Sequence, residues 1–287
     1  MPEWYGVRVP RRPCVAAPLS SEVSLTVRHR VRIGAPEGVA RRLLVGSAFA
    51  VLLAVPSAAL RAQAPTAPSI AARHDSLVGG RAALESHRSM RLVGTYAIPD
   101  AGIVAPLEIL KLRPNKYLFR TTFGPIGEIV SGFDGTNAWA VQPGQGAILL
   151  EKEMAKQVAE QADFFGDLHD LTRFAKVELA EETVLEGRRV QRVRMVRASG
   201  DTIVEFFDPA TGLSAGSLTV ASGPLGRSET TTLVSEYKDF GGLKVATRIE
   251  QRTPQYRLII SILSVEFDTV DEAAVEPPES VRLLIKP

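Results

Sequence analysis

Four histidines carry the most versatile side chains in the sequence. His74 and His87 fall in short helical stretches, His169 sits beside Asp167 and Asp170, and His29 lies in an Arg-rich N-terminal segment. An imidazole near a carboxylate can act as a general base, yet a lone His among acids is far more often a hydrogen-bonding surface group. No H-E-x-x-H, C-x-x-C or paired-His spacing offers zinc its ligands. No G-x-S-x-G elbow presents a serine nucleophile. Gly144-Gln145-Gly146 lacks the third glycine and the strand–turn–helix setting of a dinucleotide loop. The pairs Asp163/Asp167 and Asp268/Asp271 lack the loop of alternating oxygen ligands that calcium takes. Glu151, Lys152, Glu153 and Lys156 read as a solvated helix face. The expectation is therefore no catalytic residue, no metal and no cofactor, and a hydrolase built on His169 is the weakest reading.

The remaining signal is apolar. Tyr117, Phe119, Phe123, Ile129, Phe133, Trp139, Phe206, Phe207 and the run Leu258–Val265, including Leu258 and Ile260, exceed what a one-sided sheet with a wet outer face needs. They form either a filled core or the wall of a cavity for an apolar ligand, since such pockets are built from these residue types.

The elements that position them are mostly strands. In Gly127–Pro143, two apolar runs flank Asp134-Gly135, a hairpin signal because a tight turn needs the positive φ that Gly tolerates. Counting by twos places Ile129, Ser131 and Phe133 on one face, and Trp139 and Val141 together on the next strand. Strands are expected at 90–98, 103–112 and 116–123 before the hairpin. Seven more follow at 173–179, 189–196, 202–207, 213–221, 228–237, 243–251 and 255–267, with turn residues between them. Helices are expected after Pro68-Ser69, with Ser69 as N-cap, and at 81–87; a third, amphipathic one spans 149–165 and reaches toward Leu171. The tail Val275-Glu276-Pro277-Pro278 reads as a fixed extended end. A dozen antiparallel strands in series curl, and the helices must fill the concave side. The fold class is mainly β: a strongly curved antiparallel sheet forming an incomplete barrel, with N-terminal and inserted helices on its concave face.

The N-terminus reads differently. Arg41-Arg42, the apolar run Leu43–Leu60 and small residues at its end make a secretory signal peptide. Cleavage is expected near Ala62 or Ala64; a transmembrane anchor is the rival, since 18 apolar residues reach the lower limit for a span. The expected organisation is 1–35 as a non-native extension with translation starting near Val27 or Val31, 36–62 as signal peptide, and 63–287 as one half-barrel domain. The chain of 287 residues has a formal charge of +2, but residues 1–62 hold nine of its 34 Lys and Arg and three of its 32 Asp and Glu. The remaining 25 basic and 29 acidic residues give −4, so basicity lends no support to nucleic-acid binding. The single cysteine, Cys14, also lies in that segment, which excludes a disulfide framework.

SLVGGRAALESHRSMRLVGT, LEILKLRPNKYLFR, GFDGTNAW, FFDPATGL, YKDFGGLKVATRIEQ and the closing VEPP, taken in order and spacing, resemble the periplasmic outer-membrane lipoprotein-sorting (LolA-like) superfamily, in a broad branch of it. The resemblance covers essentially all of residues 63–287. It implies an open curved sheet with helices lidding an apolar cavity, a periplasmic location, and binding of a lipid or of the acyl chains of a lipoprotein without catalysis. An envelope protein bound through the same half-barrel is the alternative partner. It also implies a lid-latching arginine near the second and third strands, for which Arg113 and Arg120 are both candidates.

Overall fold

The computed structural model describes residues 64–285 except 224 and 225. The expected extension, signal peptide and Ala62 cleavage site lie outside the described residues.

Two helices open the described chain, α1 (Ala67–Leu77) and α2 (Arg81–Ser86). Thr66 caps α1 rather than Ser69. The Ser69 amide donates to Thr66 Oγ1 at 3.3 Å and the Thr66 amide donates to Ser69 Oγ at 2.9 Å, a reciprocal capping box. Pro68 fits inside the first turn because its missing N–H would have had no partner there. The helix therefore begins before the residue chosen from sequence.

One antiparallel sheet follows. Its first series is β1 (Ser89–Ile98), β2 (Ile103–Leu112), β3 (Lys116–Thr122), β4 (Glu128–Phe133), β5 (Ala138–Gln142) and β6 (Gly146–Leu149). After α3 (Lys152–Gln161) come β7 (Lys176–Leu185), β8 (Arg188–Val196), β9 (Thr202–Phe207), β10 (Ser214–Gly223), β11 (Gly226–Phe240), β12 (Leu243–Arg252) and β13 (Arg257–Phe267). The order in space is β6-β5-β4-β3-β2-β1-β13-β12-β11-β10-β9-β8-β7. Two meanders thus join where the first strand pairs with the last, and β6 and β7 are the free edges. The sheet is a curved, incomplete barrel, as the sequence and the resemblance both implied.

Two elements differ from the sequence reading. Residues 146–149 are the strand β6, paired with β5 through Trp139–Leu149 and Val141–Ala147. The turn at Pro143–Gln145 sets Ala147 and Leu149 against Val141 and Trp139, and this cross-strand pairing takes Leu149 out of the expected helix. The helix α3 is shorter than expected at both ends, Lys152–Gln161. The tail is not merely extended: a 3-10 turn (Glu272–Val275) and α4 (Glu279–Arg282) pack Val270, Val275 and Val281 onto one face of the sheet.

Register assigns the faces, because residues directly opposite in adjacent strands point the same way. Tyr117 opposes Phe133 and Lys111, whereas Trp139 opposes Gly132, which opposes Leu118. The inner face carries Met90, Leu92, Tyr96, Tyr117, Phe133, Ile203, Phe207 and Val193, and α1 packs on it through Ala67 and Ile70. The outer face carries Leu110, Leu112, Leu118 and Trp139 beneath the C-terminal tail. The apolar residues therefore divide between two layers.

Candidate functional site

A cavity of about 380 Å³ lies between the inner face and the helical segments. Leu84 of α2, with Phe165 and Leu168 from the segment after α3, forms its roof; Met90, Phe267, Leu243 and Val245 form an apolar wall; Glu205, Ser217, Thr219, His74 and Asp75 form a polar one. From the apolar wall, the inner face continues along β1 through Leu92 and Tyr96 and along β13 through Val265, Ile262 and Ile260. Tyr96 packs edge-on against both Phe119 and Phe123, each at a centroid distance of 5.8 Å. Tyr96, Phe119, Phe123 and Ile260 are only half-buried, so this part of the apolar face keeps contact with solvent.

Ser214 organises the polar wall. Its amide donates to His74 Nδ1 at 3.2 Å, its hydroxyl donates to Glu205 Oε1 at 2.5 Å, and its carbonyl accepts from Tyr237 Oη at 3.0 Å. The hydroxyl also accepts from the Gly216 amide at 3.1 Å. Serine, histidine and glutamate are close together, but the imidazole holds an amide rather than the hydroxyl. The geometry is that of a structural clamp in which the imidazole does not reach the serine hydroxyl. Burial keeps the His74 pKa below its ordinary value, so the ring is neutral and can accept. Glu205 is enclosed by protein yet keeps accessible surface because it borders the cavity, and burial pushes its pKa up to about 7.

The other two histidines among the described residues are also engaged in packing. His87 Nδ1 lies 2.7 Å from Asp268 and its ring stacks on Phe267 at 4.3 Å. His169 stacks on Phe165 at 4.3 Å and contacts Glu85 at 3.1 Å. Among the described residues no cluster of metal-ligating side chains occurs, and no helix is long and apolar enough to cross a membrane.

Of the residues singled out from sequence, Tyr117, Ile129, Phe133, Phe119, Leu258 and Ile260 are on the inner face, and Phe123 joins them at the end of β3. None of the seven borders the cavity, whose apolar wall comes from Met90, Phe267, Leu243 and Val245 instead. Trp139 and Phe206 are on the outer face: Trp139 lies over Gly132 in the tail-covered core, and Phe206 opposes Arg192 and Gly216. They sit away from the inner-face residues because each falls on the opposite beat of the strand alternation, which pairing register reveals and a lone hairpin does not.

The two arginines also separate. Arg113, at the end of β2, donates to the Glu85 carbonyl at 2.8 Å, and its guanidinium lies 5.0 Å from the Phe165 ring centroid. It touches both α2 and the segment following α3. Arg120 is on the outer face, where it bonds Glu108 at 2.8 Å and lies 3.3 Å from Glu128. Sequence reading passed over Lys111, an inner-face lysine whose Nζ donates to the Asp163 carbonyl at 2.9 Å and whose pKa burial lowers to about 8. It passed over Glu205 as well. An acid or base spaced by two from apolar inward positions was the available signal.

No family model and no curated protein matches the chain. Solved structures do match in fold. A DUF1329 family protein from Desulfovibrio piger superposes with a TM-score of 0.52 at 10% identity, over 73% of this chain and 95% of that one. A LolA superfamily protein from Nitrosomonas europaea superposes with a TM-score of 0.50 at 11% identity, over 75% and 99%. The fold is thus the open curved sheet of LolA-like proteins, as the sequence resemblance implied.

Proposed function

We propose that this chain is a non-catalytic binding protein that takes up an acyl chain, free or lipoprotein-borne, on the inner face of its half-barrel. The observation that carries this reading is the half-open cavity of about 380 Å³, whose apolar wall continues along β1 and β13 as a half-buried apolar face. That volume is near the lower end for ligand pockets, so one aliphatic chain at a time suits it better than a multiply acylated anchor. Chain methylenes leaving water for this surface supply about 0.8 kcal/mol each, enough for micromolar binding with no strong polar contact.

In this reading α1, α2 and the segment after α3 form the lid. Arg113 is its latch, because it holds two of the three lid segments while Arg120 faces the opposite side. The apolar signal run at 43–60 and the LolA-like fold favour export to the periplasm, where an acyl-chain carrier has its use.

The test is to purify the protein without detergent, extract it with organic solvent and identify lipids by mass spectrometry, then titrate delipidated protein with a fluorescent fatty acid. Co-purified lipid and saturable, displaceable uptake are expected. Empty protein that also fails to take up the probe would overturn the reading.

A further inference from the structure

The second meander leaves uncharged hydrogen-bonding groups unused on the inner face. Ser217 of β10 opposes Thr232 of β11, which opposes Gln251 of β12, and two residues along Thr219 opposes Thr230. These five side chains are half-buried, and among the described residues none of them makes a side-chain hydrogen bond. Ser217 and Thr219 border the main cavity, while Thr219 and Thr230 border a second one of about 180 Å³ beneath α3. The two spaces share Asp167, Ile203 and Thr219, so the polar rows form a floor common to both.

The charges around this floor are already answered. Asp167 is held by Arg197 at 2.7 Å, Arg197 also lies 3.8 Å from Glu160, and Lys156 pairs with Asp201. Asp75 lies in the field of His169 and Arg81, and Lys244, exposed at the rim, keeps its own water. Glu205, at the end of the Ser217 row, has one oxygen bonded to Ser214, and burial favours its neutral form. Over the floor a charged head group gains no counter-ion for the water it gives up, whereas a neutral one finds donors and acceptors.

We infer that this floor is the head-group subsite for a single-chain lipid whose head is a small uncharged polyol of glycerol size, its chain lying on the Met90–Phe267 side of the cavity. This deepens the acyl-chain reading and rests on it. Side chains directly opposite on neighbouring strands stand about 5 Å apart, a span that two hydroxyls of one glycerol bridge, each both donating and accepting. A few placed polar groups on an otherwise apolar wall fix the orientation of a ligand. The chain then points toward β1 and β13 and the head toward β10 and β11, under α3.

The test uses three probes of one chain length, the monoacylglycerol, the methyl ester and the free acid, each below its micelle concentration, displacing a neutral fluorescent acyl probe from delipidated protein at pH 6, where Glu205 is neutral. The monoacylglycerol is expected to bind at least tenfold tighter than either of the others. Thr219→Val combined with Thr230→Val, which keeps side-chain shape and strand preference while deleting two hydroxyls, is expected to bring the monoacylglycerol within about threefold of the methyl ester. Ser217→Ala is expected to move it in the same direction on its own and carries the test if the double variant folds poorly. Monoacylglycerol binding no tighter than the methyl ester or the acid in the native protein, or a preference untouched by these variants, overturns the polyol subsite while leaving acyl-chain binding intact. Failure of all three probes to displace the fluorescent one overturns both.

Discussion

The guanidinium of Arg113 lies 5.0 Å from the ring centroid of Phe165 while its Nη1 donates to the Glu85 carbonyl at 2.8 Å. One side chain at the end of β2 thus joins the end of α2 to the segment that follows α3. Phe165 in turn stacks on His169, and Arg81 of α2 bonds the His169 carbonyl, so the roof of the cavity is a connected unit. In the proposed reading a ligand entering from above moves that unit, which Arg113 and Lys111 both tie to the sheet.

Replacing Arg113 with Ala removes a cation–π contact and an exposed charge-assisted bond, together about 1 kcal/mol. Release of a bound acyl probe, followed by stopped-flow fluorescence, is expected to quicken roughly fivefold with little change in melting temperature. Arg120→Ala serves as the outer-face control and is expected to leave the release rate alone. Equal rates in all three proteins would deny Arg113 the latch role.

Gly132 and Trp139 are a second pair whose contact is decisive. A Cβ on Gly132 would sit 2.4 Å from the Trp139 ring and 2.9 Å from the Tyr117 carbonyl. Trp139 is fully buried, so the ring has nowhere to go. Gly132→Ala is expected to cost about 1–3 kcal/mol by overpacking, measured by urea denaturation. In the Trp139→Ala background the same change is expected to cost much less, a coupling of 0.5 kcal/mol or more between touching residues. Additive effects would mean the ring does not lie over Gly132.

The same hairpin shows what was legible in sequence and what was not. Asp134-Gly135 announced the turn, and the structure places Gly135 at φ 102° with Asp134 Oδ1 accepting from the Thr136 and Asn137 amides. Local chemistry of this kind located most strands within a few residues. Which face Trp139 shares with its neighbours depends on register with β4 and β6, a non-local quantity, and Phe133 and Trp139 accordingly fall on opposite sides of the sheet. The cavity was illegible for the same reason. Its walls come from β1, β9, β10, β12 and β13, and no window of sequence brings Glu205 near Met90.

Glu205 and His74 give the fold opposite pH responses. The Glu205 pKa is raised to about 7 in the folded protein, so the folded state binds the proton more tightly than the unfolded chain. Its contribution is greatest below the ordinary carboxylate pKa and is lost as pH rises through about 7, a difference of up to about 3 kcal/mol. Glu205→Gln is therefore expected to raise the melting temperature more at pH 8 than at pH 5. The His74 pKa is lowered, so its contribution is present above the ordinary imidazole value and is lost on acidification, when protonated Nδ1 can no longer accept from Ser214. His74→Gln is expected to reduce the loss of stability on acidification below pH 6. Parallel melting curves for native protein and each variant across pH would contradict these assignments.

Val245 offers the most direct test of whether an aliphatic chain lies between the inner face and the helical roof, because it borders the cavity on β12 without being fully buried. The measurement is the dissociation constant of a fluorescent acyl probe for delipidated native protein and for Val245→Trp, with melting temperature confirming that the variant is folded. Filling the cavity with an indole is expected to weaken binding by at least tenfold while the fold survives. A folded Val245→Trp protein that binds the probe as tightly as the native one would contradict the account.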